Sequence, residues 1–189
     1  MKKYPLTDTI LLGIINLTGG ILRFYHYDLL PYSYDEFSAL FRTRFDNFRD
    51  LIHYGVVTTD THPAGIQVFM YYLVKLFGEG EMMVKLPFML AGLGSIYLVY
   101  KISTAWFNSS VGLISSMMVY FLQYTITYSQ YARPFVSGLF FVLLFVLSFH
   151  NAFINRSVHW KYHSVMYVLS GAGCAYNHNF SLVFLGLAG

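Results

Sequence analysis

An all-α, polytopic membrane fold is predicted from three properties of this chain. Hydrophobic residues make up 56% and charged residues only 11%, where a soluble domain carries about 25% charged residues. The apolar residues gather into segments of roughly spanning length, separated by polar breaks. Aromatics are abundant, with 18 Phe and 17 Tyr, as expected where Phe meets lipid and Tyr sits at the lipid–water boundary. The net charge of +3 is too small to point to nucleic acid as a partner. The single cysteine, Cys174, lies in an apolar run; it has no intramolecular disulfide partner and reads as a small core residue.

Taken in order, Met1-Lys2-Lys3 precedes an apolar stretch over residues 8–25. No small-residue cleavage site follows it, so it reads as an uncleaved first span. Residues 27–81 form a charged loop that holds most of the acids. Within it Phe37, Leu40, Phe41, Phe45, Phe48, Leu51 and Ile52 recur at three- and four-residue spacing, with Arg42, Arg44, Asp46, Arg49 and Asp50 mainly between them. That pattern predicts an amphipathic helix over residues 37–54 lying in the membrane interface. Residues 63–77 are apolar but short for a span, and Pro63 suits a first helical position; they are expected to form a second interfacial helix. Further spans are predicted over residues 82–103, 111–128, 134–150 and 163–176, and a sixth begins near Phe180. The count is about five complete spans plus a truncated sixth. The expectation is therefore that residues 1–189 are the N-terminal part of one transmembrane domain, without its C-terminal part. The short loops 78–81 and 107–110 should join antiparallel neighbours.

Charge bias gives an expected orientation. With Lys2 and Lys3 cytoplasmic and residues 63–77 not crossing, Lys101, Arg156 and Lys161 also fall inside, as the positive-inside rule prefers. The same arrangement gathers Asp35, Glu36, Asp60, His62, Lys85, Arg133 and His178 on the outer side. If residues 63–77 cross instead, Lys101 moves outside and Arg133 separates from the Asp35 loop.

Each of these groups has a structural and a functional reading. Ser33 and Glu36 have capping-box spacing, and an acidic first turn suits the helix dipole. A carboxylate beside an apolar surface also suits a general base that takes the proton of an acceptor hydroxyl. The two readings are compatible, with Glu36 capping and Asp35 facing a site. In Thr59-Asp60-Thr61-His62-Pro63, a carboxylate and an imidazole precede a helix; they form either a capping turn or ligands for a divalent metal or an acceptor. Lys85 either snorkels to the interface or meets an anion. Arg133, in Tyr128-Ser129-Gln130-Tyr131-Ala132-Arg133-Pro134, is either a headgroup anchor or a fork for phosphate. His178, in Tyr176-Asn177-His178-Asn179, is a boundary residue, a ligand or an acid/base group. Arg23, near the end of the first span, reads as an interface anchor. Phosphate-binding glycine loops, dinucleotide fingerprints, HExxH, paired CxxC and serine-hydrolase elbows are all absent from the sequence.

The order of these features resembles the N-terminal half of bacterial polyprenyl-phosphate-sugar-dependent glycosyltransferases. These are the family 39-like proteins related to dolichyl-phosphate-mannose protein mannosyltransferases and to lipid A aminoarabinose transferase, with the GT-C membrane fold. The resemblance rests on a first span, Asp35-Glu36, an amphipathic helix, His62-Pro63, Lys85-Leu86-Pro87 and the break ending at Arg133. It implies a hexosyl- or pentosyltransferase of the bacterial inner or plasma membrane. Such an enzyme is expected to move a sugar from a polyprenyl-phosphate donor to a lipid, glycan or protein acceptor on the outer face, with inversion.

Asp35 would then be the catalytic carboxylate with Glu36 supporting it, and Asp60 and His62 would line the site. Lys85 and Arg133 would receive the lipid phosphate. A divalent ion near Asp60, His62 or His178 is a candidate cofactor. Two positions depart from the family pattern: Ala64 stands where a second Pro is common after His-Pro, and Tyr131 where Glu is common before Ala-Arg. The competing class is a transporter or a non-catalytic scaffold. A transporter should carry its acids and bases near the midplane of its spans, whereas here they cluster at one end.

Overall fold

The computed structural model describes residues 6–25, 27, 31–59 and 62–188. Among them the regular structure is entirely helical: α1 (Leu6–Phe24), α2 (Tyr34–Phe41), α3 (Phe48–Asp50) continuing as a π-helical stretch Leu51–Val57, α4 (Ala64–Phe77), α5 (Glu81–Trp106), α6 (Ser109–Phe121), α7 (Gln123–Ser129), α8 (Pro134–Phe149) with a π-helical end His150–Ile154, α9 (Trp160–Asn177) and α10 (Asn179–Ala188). Three helical stretches are long and apolar enough to cross a membrane: Leu6–Phe24, Glu81–Trp106 and Pro134–Ile154. The fold is that of an all-α membrane protein.

The bundle is organised around α5, which packs on α1, α6 and α8, while α8 also packs along α9. α5 is the most enclosed of the three, with 44% of its apolar window buried against 22% for the other two. The outward face of α1 carries Leu6, Ile10, Ile14, Leu17 and Ile21, all exposed; a lipid phase covers such a face without cost. α4 has 14 residues, about 21 Å of helix, which is short of the ~30 Å hydrocarbon core.

Two expectations are corrected. The amphipathic segment 37–54 is not one helix. α2 ends at Phe41, a turn follows, and Asn47 starts a new helix by accepting the Asp50 N–H at its side chain (2.9 Å). The Thr43 hydroxyl donates to the Leu40 carbonyl (2.6 Å) and helps close α2. The segment 111–128 is also broken. Leu122 is extended (ψ 113°) between α6 and α7, and the Thr125 hydroxyl lies against the carbonyls of Val119 and Leu122 (2.5 and 2.8 Å). Hydropathy sees neither break, because side-chain capping decides both.

A core of Leu40, Ile66, Met70, Val84, Phe88, Ala132 and Val136 joins α2, α4, α5, the 130–133 turn and α8. Its members come from the elements that carry the predicted site residues. Gly65 lets α4 touch α9 there: a Cβ at this position would stand 2.5 Å from the Tyr176 carbonyl oxygen. Gly92 on α5 likewise leaves room for the Ser129 hydroxyl and for Arg23 Nε.

Candidate active site

The site is assembled from polar breaks at one end of the bundle, and Glu36 holds two of them together. Ser33 and Glu36 form the complete capping box of α2: the Ser33 N–H donates to Glu36 Oε2 (2.8 Å), and the Glu36 N–H donates to Ser33 Oγ (3.3 Å). The other carboxylate oxygen, Oε1, accepts the N–H of Ala132 (2.8 Å), 96 residues away. Glu36 is only 1% exposed. Backbone donors thus offset the desolvation of its charge, and the carboxylate fixes α2 against the turn that carries Arg133.

This contact sets Asp35 beside that turn. Asp35 is exposed on the first turn of α2. It lines a cleft of about 470 Å³ together with Tyr34, Tyr128, Tyr131, Arg133 and Phe135. Arg133 is the N-cap of α8, in an extended conformation, and Pro134 starts that helix with its fixed φ already suited to the first turn. Arg133 is mostly buried, so a rigid frame carries its guanidinium.

His178, in the break between α9 and α10, adjoins the same wall. Its ring is 5.7 Å from that of Phe135 and 5.2 Å from that of His62. Its Nδ1 accepts the Phe180 N–H (3.1 Å), which leaves the proton on Nε2. Burial pushes its pKa below the ordinary 6.5, and His62 and Arg133 push it further in the same direction. His178 is therefore a neutral donor at neutral pH. Asn177 fixes this corner, accepting from the Ser137 hydroxyl (2.9 Å) and donating to the Pro134 carbonyl (2.8 Å).

Lys85 is set apart from the cleft. It is 1% exposed, its Nζ lies 3.6 Å from Glu81 Oε2, and it stands 5.4 Å from the Tyr32 ring centroid. Tyr32 itself donates to the Glu79 carbonyl (2.9 Å). Its hydroxyl is held well above the usual phenol range, first by burial and then by Glu81, Glu36 and Glu79. Asp60 lies outside the described residues. Among the described residues no three His, Cys, Asp or Glu side chains converge as a metal site; His62 and His178 are two adjacent imidazoles.

Arg23 differs from its expected role as an interface anchor. It is 0% exposed. It donates to Ser129 Oγ through Nε (3.1 Å), to the Gly19 carbonyl (3.2 Å) and to Thr125 Oγ1 (3.4 Å), while Gln130 Nε2 donates back to its carbonyl (2.9 Å). Ser129, Gln130 and Asn177 are thus framework residues that no individual side-chain signal singled out. Their signal was their place in the two polar breaks.

Beside the site, an apolar groove of about 500 Å³ opens between α4, α5, α8 and α9, lined by Ile66, Phe69, Phe88, Leu90, Phe140 and Phe141 among others. Its wall includes Asn177 and Gly65, so it reaches the corner fixed by Asn177.

Comparison with known proteins gives one match. The family model described as dolichyl-phosphate-mannose-protein mannosyltransferase matches residues 61–189. These residues include His62, Lys85, Arg133 and His178, while Asp35 and Glu36 lie before them. No curated protein and no solved structure matches the chain. With the family model covering more than half of it, the chain belongs to the dolichyl-phosphate-mannose-protein mannosyltransferase family.

Proposed function

We propose that this membrane glycosyltransferase moves a sugar from a polyprenyl-phosphate donor to an acceptor hydroxyl at the outer face, with Asp35 as general base. Family membership makes the chain a membrane glycosyltransferase of the mannosyltransferase type. The observation that carries the finer reading is the cleft that has the open Asp35 carboxylate and the buried, framed Arg133 in its walls.

In this reading the acceptor hydroxyl enters beside Asp35, which takes its proton as the oxygen attacks the anomeric carbon. The bond from that carbon to the phosphate oxygen breaks, and the polyprenyl phosphate leaves with the electron pair. Attack opposite the leaving group inverts the anomeric centre. Arg133 meets the phosphate charge, which grows as the bond breaks; such a contact is worth about 1.5–3 kcal/mol and acts where transition-state charge develops. Neutral His178 offers a further hydrogen bond through Nε2–H. The adjoining apolar groove suits the polyprenyl tail. Lys85, paired with Glu81, would steady the site from the core side, and His62, beside His178, would form its remaining edge. With Nδ1 accepting the Phe180 N–H and Nε2 carrying the proton it donates, His178 has no lone pair left for a metal ion, so the phosphate charge is met by Arg133 and His178 without one.

The test is transfer of radiolabelled sugar from polyprenyl-phosphate mannose and related donors by the reconstituted chain. Asp35→Asn is expected to lower the rate by about 10²–10⁴-fold, the usual contribution of a general base. Because Asp35 is exposed, its melting behaviour should stay close to wild type. Equal transfer by the two proteins would remove Asp35 from the mechanism.

A further inference from the structure

A cavity of about 800 Å³ lies at the end of the bundle opposite the Asp35 cleft. It is enclosed by the last turns of α5, the π-helical end of α8 and the first turns of α9. Lys101, His150, His159, His163, Asn151 and Asn155 supply its polar wall. No lining side chain is acidic, and residues 82–189 contain no Asp or Glu at all. Arg156 and Lys161 follow closely in the same segment. Toward the middle of the bundle, Leu144, Leu147 and Met166 make the wall apolar. The volume fits a small-molecule site, and its gradient from cationic to apolar fits an amphiphile with a negative head.

Its depth in the membrane is marked independently. Both tryptophans of the chain, Trp106 and Trp160, belong to the elements around its mouth, and Tyr97 and Tyr162 line it. Tryptophan and tyrosine collect at the level of lipid headgroups. Trp106 Nε1–H donates to His150 Nδ1 (3.3 Å), which leaves the His150 Nε2–H as a donor of its own. Lys101 Nζ stands 6.0 Å from the Tyr97 ring centroid, and both residues line the cavity. We infer that this cavity binds the phosphate-bearing headgroup of an anionic membrane lipid. Basic pockets between membrane helices recognise such headgroups by the same chemistry. The apolar inner wall favours a lipid over a free phosphate ester, which has nothing to place there.

The inference concerns binding at the end away from the cleft, so it stands or falls apart from the transferase mechanism. The purified chain is assembled in nanodiscs of equimolar phosphatidylglycerol and phosphatidylcholine, then released, and its retained lipid is weighed by native mass spectrometry. Phosphatidylglycerol should be enriched. The Lys101→Gln/His159→Gln variant should lower that enrichment about tenfold, the loss of a charge-assisted contact. Lys101→Arg should keep it, and Asp35→Asn should leave it unchanged. His159 is exposed, so His159→Gln alone, with an expected reduction of about two- to threefold, reads the site even where Lys101→Gln fails to fold. Added sn-glycerol 3-phosphate should not displace the lipid. Its binding without lipid enrichment would overturn the lipid assignment. Equal retention of the two lipids, or enrichment unchanged in the double variant, would overturn the site.

Discussion

Glu36 and His178 show how single side chains govern this end of the molecule. Glu36 accepts two backbone donors, one from Ser33 in its own capping box and one from Ala132, 96 residues along the chain. Glu36→Ala strands the Ala132 N–H and removes half of the capping box, so it should cost about 2–3 kcal/mol. Glu36→Gln keeps one amide oxygen as acceptor and should recover roughly half of that. Thermal unfolding in detergent measures both, and equal melting of wild type and Glu36→Ala would contradict the tether. His178 makes a prediction in pH. Its folded pKa lies below the ordinary 6.5, so between those two values the unfolded chain binds a proton that the native site refuses. Stability must then fall as the pH drops from about 6.5 through the lowered value, and it is flat in this term above 6.5. Melting temperature followed from pH 7.5 to pH 5 should decline less steeply in His178→Gln than in wild type; parallel profiles would show that another group carries the acid sensitivity.

At the scale of elements, contact between α4 and α9 places His62, which precedes α4, next to His178. Gly65 permits the contact. Its substitution meets the Tyr176 carbonyl and Cβ, at 2.5 and 2.8 Å, and backbone cannot swing away as a side-chain end can. Gly65→Ala should therefore lower stability by about 1–3 kcal/mol, as overpacking does, with the shift read in the same melting assay. Unchanged melting would mean that α4 is free to move off α9. Much of this architecture was legible beforehand. The polar breaks at Arg133 and His178 stood out because each interrupts an apolar run, and the Ser33–Glu36 spacing announced its capping box. The breaks at Asn47 and Leu122 were not legible, since an amide oxygen accepting a backbone N–H, or a hydroxyl donating to a carbonyl, leaves hydropathy unchanged. Arg23 was misread for a similar reason: its partners Thr125 and Ser129 lie more than 100 positions away, and nothing local separates a buried arginine from a snorkelling one. The basic cavity was hidden because Lys101 and the histidines lie on different elements, and only packing brings them together.

The whole molecule is polarised along α5 and α8. The Asp35 cleft takes Arg133 from the start of α8, whereas the basic cavity takes His150, Asn151 and Ile154 from its end. Pro134–Ile154 covers 21 residues, about 31 Å at 1.5 Å per residue, close to the ~30 Å thickness of a hydrocarbon core. The two sites should therefore open on opposite sides of the membrane. A transporter would instead need its polar groups near the midplane. The two ends also differ in charge: the cavity end carries Lys101, Arg156 and Lys161 in a stretch, residues 82–189, without Asp or Glu, whereas the cleft end carries charges of both signs. Cysteine accessibility tests this directly. Cys174 is 0% exposed and should stay silent toward a membrane-impermeant maleimide, which the parent chain checks as the control. Tyr34 and Val158 are 88% and 87% exposed, one beside Asp35 and the other in the wall of the basic cavity. Tyr34→Cys should label in intact spheroplasts, and Val158→Cys only in inverted vesicles. Labelling of both from one side would mean that the cleft and the cavity share a face, and the polarised arrangement would have to be abandoned.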